Sequence, residues 1–202
     1  MILSNHTQIF VKQRRELAEL FGFETRNKYE IYDNQKNVIG FAAEQQKGFL
    51  GILLRQLLGH WRSFELHFFD AQRQQILVSK HPFRWIFQEF EIVNQQGVTI
   101  GYVKQRFGIL KKKFDVHNQQ GDVIYEMRSG FFQFWTFPFF DRQGHMAALI
   151  QKKWSGALKE IFMDTDNFNI EFKNANLSEN ERLIILVCSV FTDLQYFERK
   201  AN

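Results

Sequence analysis

The chain has 202 residues, enough for one large domain with a substantial core, and nothing in that length requires a partner. With 24 Phe and aromatics at 16%, the composition favours half-buried pleated strands, while only two Pro argue against long linkers or disordered arms. The lone Cys188 excludes an internal disulfide and a cysteine-type zinc site, and a net charge of +4 favours anionic partners, lipid headgroups or nucleic acid.

Residues 1–15 contain Asn5, His6, Gln8 and Lys12 among their apolar residues, so they lack the apolar run of a signal peptide. With the lone cysteine, this leads to the expectation of a cytoplasmic protein with no disulfide-linked partner. Positive residues cluster at Lys12, Arg14 and Arg15, at Lys111 to Lys113, and at Lys152 and Lys153. Each cluster reads as solvated surface or as an anion-binding patch.

Further along, a four-residue punctuation recurs five times, at 33–36, 70–73, 94–97, 118–121 and 141–144, each copy opening on Asp or Asn and the last three ending on Gly. Asp and Asn cap tight turns through their side chains, and Gly tolerates positive φ. Before four of these turns the chain alternates: Tyr29 and Ile31, then Phe64, Leu66 and Phe68, then Phe90 and Ile92, then Phe114 and Val116, with Glu30, Glu65, Glu91 and Asp115 on the opposite parity. A period of two is the mark of half-buried antiparallel strands, so five hairpins supply about ten of them. Gln8 to Lys12 and Asn167 to Phe172 add two more, and about twelve strands with inward aromatics close into a barrel, which removes exposed edges.

The C-terminal segment changes period. Ser178-Glu-Asn-Glu181 is a capping box, and the run from Leu183 to Phe197 is apolar on nearly every side, with Asp193 inside it. It is shorter than the ~20 apolar residues a bilayer core requires. The expected place for it is therefore the axis of the barrel.

Several short motifs now align with a family. Phe23-Glu-Thr-Arg-Asn-Lys-Tyr-Glu-Ile31, Gly40-Phe-Ala-Ala-Glu44, Ile100-Gly-Tyr-Val103, Lys153-Trp-Ser-Gly156, Asp164-Thr-Asp-Asn-Phe168 and Asp193-Leu-Gln-Tyr-Phe-Glu198 resemble the phospholipid scramblase family, in order and at similar spacing. The resemblance implies a single tubby-like domain over 1–202: a closed antiparallel barrel of about twelve strands around a buried hydrophobic C-terminal helix. It further implies lipid binding and membrane association. Two features of that family, a Pro-rich N-terminal arm and a Cys-rich palmitoylated stretch after the Gly40 motif, have no counterpart here. Where the second would stand, seven large apolar residues fall between Phe49 and Leu58. Phe49, Leu53, Leu54 and Leu57, with Arg55, Arg62, Lys111, Lys112 and Lys113, are the candidate lipid-binding residues, and a helix plugging the barrel end is the alternative for that segment.

The resemblance also implies a calcium loop beginning at Asp164. Calcium takes roughly six to eight oxygens, and the loop supplies the carboxylates of Asp164 and Asp166, with Phe168, Asn169 and Ala175 where ligands or a turning glycine would stand. A turn leading into a strand is the simpler reading, so no cofactor is expected.

The six histidines show no metal-type spacing and are expected at the surface. No nucleophile elbow or phosphate-cradling loop occurs, which argues against a hydrolase or transferase. Trp61, Trp85, Trp135 and Trp154 read as packing rather than as base-stacking platforms, so nucleic acid is not the expected partner. Two functions remain: a scramblase-like protein that binds anionic phospholipid on the inner face of a membrane and assists transbilayer lipid movement, or a soluble tubby-like module for a protein or small ligand.

Overall fold

The computed structural model describes residues 1–14, 25–45, 63–82, 87–107, 113–128, 136–153 and 167–196. Twelve strands run in chain order: β1 (Gln8–Arg14), β2 (Thr25–Tyr32), β3 (Val38–Gln45), β4 (Phe64–Asp70), β5 (Gln75–His81), β6 (Glu89–Asn94), β7 (Thr99–Arg106), β8 (Lys113–His117), β9 (Val123–Arg128), β10 (Thr136–Phe140), β11 (Met146–Lys153) and β12 (Asn167–Phe172). Each pairs antiparallel with its sequence neighbours, and β1 pairs with β12 to close the barrel. The tubby-like architecture implied by the sequence is present, with a helix, α1 (Glu179–Tyr196), inside it.

The five punctuated positions form one turn type. In each, the backbone N–H of the fourth residue donates to the carbonyl of the first, at 3.0–3.2 Å. The side-chain oxygen of the opening Asp or Asn accepts backbone N–H groups beyond it, as Asp33 does from Gln35 and Asn37 at 2.8 Å. The fourth residue has positive φ every time: Lys36, Arg73, Gly97, Gly121 and Gly144. A register shift precedes each turn, so these are three-residue hairpin loops with a bulge. Glycine stands at three of the five positions because it takes this conformation at no steric cost.

The alternating apolar residues point inward. Tyr29, Ile31, Leu66, Phe68, Phe90, Ile92 and Val116 are fully or almost fully buried and join one cluster with Ile184 to Leu186, Val187, Val190 and Phe191 of α1. From Ile184 to Leu194 every helical residue is buried. Ser178 and Glu181 complete the capping box, the Glu181 N–H donating to Ser178 Oγ at 3.3 Å while the Ser178 N–H donates to Glu181 Oε2 at 2.7 Å. Wall and helix meet closely at Gly101, where an added Cβ would lie 2.6 Å from Ile184 Cδ1 and 2.7 Å from the His117 carbonyl oxygen. Among the described residues no helix is long and apolar enough to cross a membrane.

The end of the barrel carrying the tight turns is sealed by the N-terminus. The N–H groups of Leu3 and Ser4 donate to the Glu179 carboxylate at 2.7 and 2.8 Å. The buried Arg182 guanidinium donates to the carbonyls of His6, Leu3 and Leu177 at 2.6, 3.3 and 3.2 Å and stacks 4.6 Å over Phe172. Its burial lowers its pKa, an effect that Glu179 and Glu181 partly offset.

Candidate functional site: the polar mouth of the barrel

Because the barrel is an up-and-down meander, the remaining six connections all leave and re-enter at the opposite end. The strand termini around this mouth are Arg14 and Thr25, Gln45 and Phe64, His81 and Glu89, Arg106 and Lys113, Arg128 and Thr136, and Lys153 and Asn167. Here the inward positions change character. Asn27, Glu44, His81, Gln88 and Lys152 are buried polar groups on the parity that carries apolar residues deeper in the barrel. The C-terminal end of α1 brings Asp193 to the same level.

These groups are tied together over long sequence separations. Lys152 Nζ lies 3.1 Å from Asp193 Oδ1, with side-chain exposures of 6% and 2%, and Tyr29 donates its hydroxyl proton to Asp193 Oδ2 at 3.0 Å. The helix is thereby joined to β2 and β11 at once. The Lys152 ammonium also sits 5.3 Å over the Phe168 ring. Nearby, Gln13 Nε2 donates to Asn27 Oδ1 at 3.1 Å and Asn27 Nδ2 to Glu44 Oε2 at 2.7 Å. On the other side of the mouth the His81 ring stacks on Phe64 at 4.5 Å, and both rings lie against Phe191 of α1.

Outside the wall, charged residues form a ladder on β7, β8 and β9. Arg106 Nη1 lies 3.1 Å from both Asp115 Oδ1 and Glu126 Oε1, and Arg128 Nη2 is 2.6 Å from Glu126 Oε2. The charge of Asp115 beside it raises the Arg106 pKa, and the hydrogen bond from Arg128 lowers that of Glu126. Lys113, a residue predicted to bind lipid, opens β8 within this ladder, opposite Arg106 and Arg128 in register. Beyond the ladder, Phe107 projects from the end of β7 with 76% of its surface exposed, and Phe87 precedes β6 at 44%.

Phe49, Leu53, Leu54, Arg55, Leu57, Arg62, Lys111 and Lys112 lie outside the described residues, as do the calcium-loop candidates Asp164 and Asp166. Among the described residues no group of three or more His, Cys, Asp or Glu is placed to hold a metal ion. Two sequence expectations need correction. Lys152, counted in a surface cluster, points inward to Asp193, and His81, expected at the surface, is 2% exposed. Parity carried the signal in both cases, since Lys152 is in step with Ile150 and His81 with Leu77.

The Scramblase family model matches residues 1–199. The chain belongs to the Scramblase family. Among curated proteins this family member is 31% identical to human phospholipid scramblase 1, over 97% of the chain and 64% of the relative. It is 30% identical to human phospholipid scramblase 2, over 98% and 69%. It is also 23% identical to the Saccharomyces cerevisiae protein "Altered inheritance rate of mitochondria protein 25", over 100% and 73%. The chain spans a little under two thirds of the length of phospholipid scramblase 1. An X-ray structure of an Arabidopsis thaliana protein superposes with a TM-score of 0.51 at 10% identity, covering 92% of this chain and 90% of that one, a likeness of fold alone.

Proposed function

We propose that this Scramblase family member is a phospholipid-binding domain that meets an anionic lipid surface with the mouth of its barrel. The observation that carries this reading is topological: the connections that contain the apolar segment 49–61 and the basic run Lys111 to Lys113 begin and end on strand termini of the same rim, on which Phe87 and Phe107 are exposed. Apolar side chains entering an interface gain roughly 25 cal/mol per Å² buried, and each nearby Lys or Arg adds about 1 kcal/mol against an anionic leaflet. The names of the relatives, phospholipid scramblases, support lipid as the ligand. An anionic surface of this kind is presented by the cytoplasmic leaflet, and a peripheral position there fits a mouth-down orientation.

The interior of the barrel is filled by α1, so it offers no conduit for a lipid headgroup. Any transbilayer movement this domain assists therefore acts through the bilayer it touches, by perturbing the headgroup layer from one side. The other reading, a soluble module for a protein or small ligand, keeps the same mouth as its binding face.

Vesicle flotation separates them. Changing Lys111, Lys112 and Lys113 to Gln is expected to weaken binding to phosphatidylserine-containing vesicles by up to about a hundredfold at low salt, on three increments of about 1 kcal/mol. Changing Leu53, Leu54 and Leu57 to Ser is expected to weaken binding to all vesicles while leaving the thermal melt unchanged. If the unsubstituted protein binds neither neutral nor anionic vesicles, the soluble module replaces this reading.

A further inference from the structure

The end of the barrel opposite the mouth carries a repetition that its local geometry does not explain. In the five tight turns the first residue caps the loop and the fourth takes positive φ, so both positions answer to the turn itself. The second position, free of either duty, varies: Asn34, Ala71, Gln95, Gln119 and Arg142. The third is equally free, yet it is glutamine every time, at Gln35, Gln72, Gln96, Gln120 and Gln143. In four of the turns its backbone N–H, not its side chain, donates to the capping oxygen. All five are exposed, and the side chains of Gln72, Gln96, Gln120 and Gln143 make no hydrogen bond to a described residue. The fold thus displays a crown of primary amides that the turns do not need.

The surface around the crown is nearly neutral and partly apolar. Lys36, Arg73 and Arg142 offset Asp33, Asp70 and Asp141, and Asp122 is left over. Val98 and Met146, each just after a turn, are exposed, as is Ile2 beside the N–H groups that bind Glu179. A face with so little net charge is poorly matched to a strongly charged partner. A primary amide both donates and accepts, so two of them pair reciprocally, and a face rich in them is its own complement, as a two-fold contact between identical chains requires. The size also fits. Twelve strands about 4.8 Å apart and tilted by about 40° give a backbone radius of roughly 12 Å, and side chains widen the end face to about 700 Å². Each partner of a standard protein interface contributes about 800 Å².

We propose that the turn end is a self-association face on which a second copy of this chain docks crown to crown, with the two mouths pointing in opposite directions. A pair arranged in this way bridges two lipid surfaces. The bridging rests on the reading that the mouth meets an anionic lipid surface; the docking does not. Ile2, Val98 and Met146 supply the apolar contact, and the glutamines set the orientation.

Sedimentation velocity of the full chain over a range of concentrations tests the docking without lipid. A dimer is expected with a dissociation constant on the order of 10 µM, at the weak end for an interface of this area. Gln96→Glu with Gln120→Glu brings like charges together when two copies meet and is expected to weaken the dimer by about tenfold or more; Gln96→Lys with Gln120→Lys is expected to do the same. An equal mixture of the two variants restores it. The side chains are exposed, so the thermal melts of both variants should match that of the unsubstituted protein. A monomer at concentrations up to about a hundred times the expected constant, a dimer unmoved by either double substitution, or a mixture no more associated than its components overturns the proposal. Light scattering with phosphatidylserine-containing vesicles tests the bridging: the unsubstituted protein clusters them, whereas the Glu variant floats with them but does not cluster them. Changing Lys111, Lys112 and Lys113 to Gln is expected to weaken clustering and leave the dimer intact. A dimer that fails to float with vesicles sinks the membrane reading and spares the docking, whereas a dimer that floats but never clusters vesicles overturns the bridging arrangement.

Discussion

At one end of the barrel the chain reverses five times through the same short hairpin loop; at the other it reverses through connections of six to eighteen residues. The turn end is held by contacts within four residues, then sealed by Arg182 donating to backbone carbonyls. The mouth is held by side chains 41 and 164 residues apart meeting on Asp193. A backbone reversal of fixed geometry accepts few residue types, so the turn end repeats. A mouth joined by side chains leaves its connections free to vary in length and composition, which is where a binding surface is most readily built.

The largest effect expected is on the element both ends share. Val187 is fully buried midway along α1, so Val187→Asp places a carboxylate where it must either ionise without water or take up a proton. Truncation before Leu183 removes the same packing and leaves the barrel interior unfilled. Both variants should yield insoluble or molten protein, read as lost near-UV circular dichroism and no cooperative melt. A soluble truncation that melts cooperatively would show that the walls close without the helix, and the two ends would then be independent.

Next comes the mouth itself. Asp193→Asn keeps the shape of the side chain but removes the charge 3.1 Å from Lys152, and breaking a buried pair from one side costs about 3–5 kcal/mol. Lys152→Met together with Asp193→Leu should cost clearly less, because no buried charge is left over. Urea denaturation of the single and double variants reads the difference. If the double variant is as unstable as the single, the pair holds the helix by geometry rather than by charge.

What the sequence made legible follows the same division. The turns were readable because Asp, Asn and Gly mark a local conformation, and the strands because a period of two survives in Phe64 to Phe68 and Phe90 to Ile92 without knowledge of any partner. The capping box at Ser178 and the all-round apolar run behind it placed the helix. The buried polar set was missed because polarity was taken as exposure: Lys152 beside Lys153 looks like a surface cluster until parity puts it in step with Ile150. No local pattern pairs Tyr29 with Asp193, since only closure of the barrel brings β2 and the end of α1 together.

The smallest effect concerns a single turn, and it sharpens the claim that the turn end depends on local bonds. Burial pushes the Asp33 carboxyl up, but hydrogen bonds from the Asn37 side chain and from the Asn37 and Gln35 backbone outweigh it and hold its pKa below the usual carboxylate range. A depressed folded-state pKa means that the ionised group stabilises the fold above its unfolded pKa of about 3.9, and that this contribution is lost as pH falls through the lower folded value. Asp33→Asn should keep the turn, since Asn94 and Asn118 open equivalent ones, with Oδ1 still accepting the backbone N–H groups. It should lose the Asn37 Nδ2 contact at 2.9 Å, which has a donor facing it in place of a carboxylate oxygen. The expected cost near pH 7 is at most about 1 kcal/mol, the scale of one hydrogen bond. Urea midpoints of the two proteins should differ slightly at pH 7 and converge as the pH is lowered below about 3.9, towards full protonation of Asp33. A gap that persists undiminished at pH 3 or below would mean that the bonds matter and the charge does not.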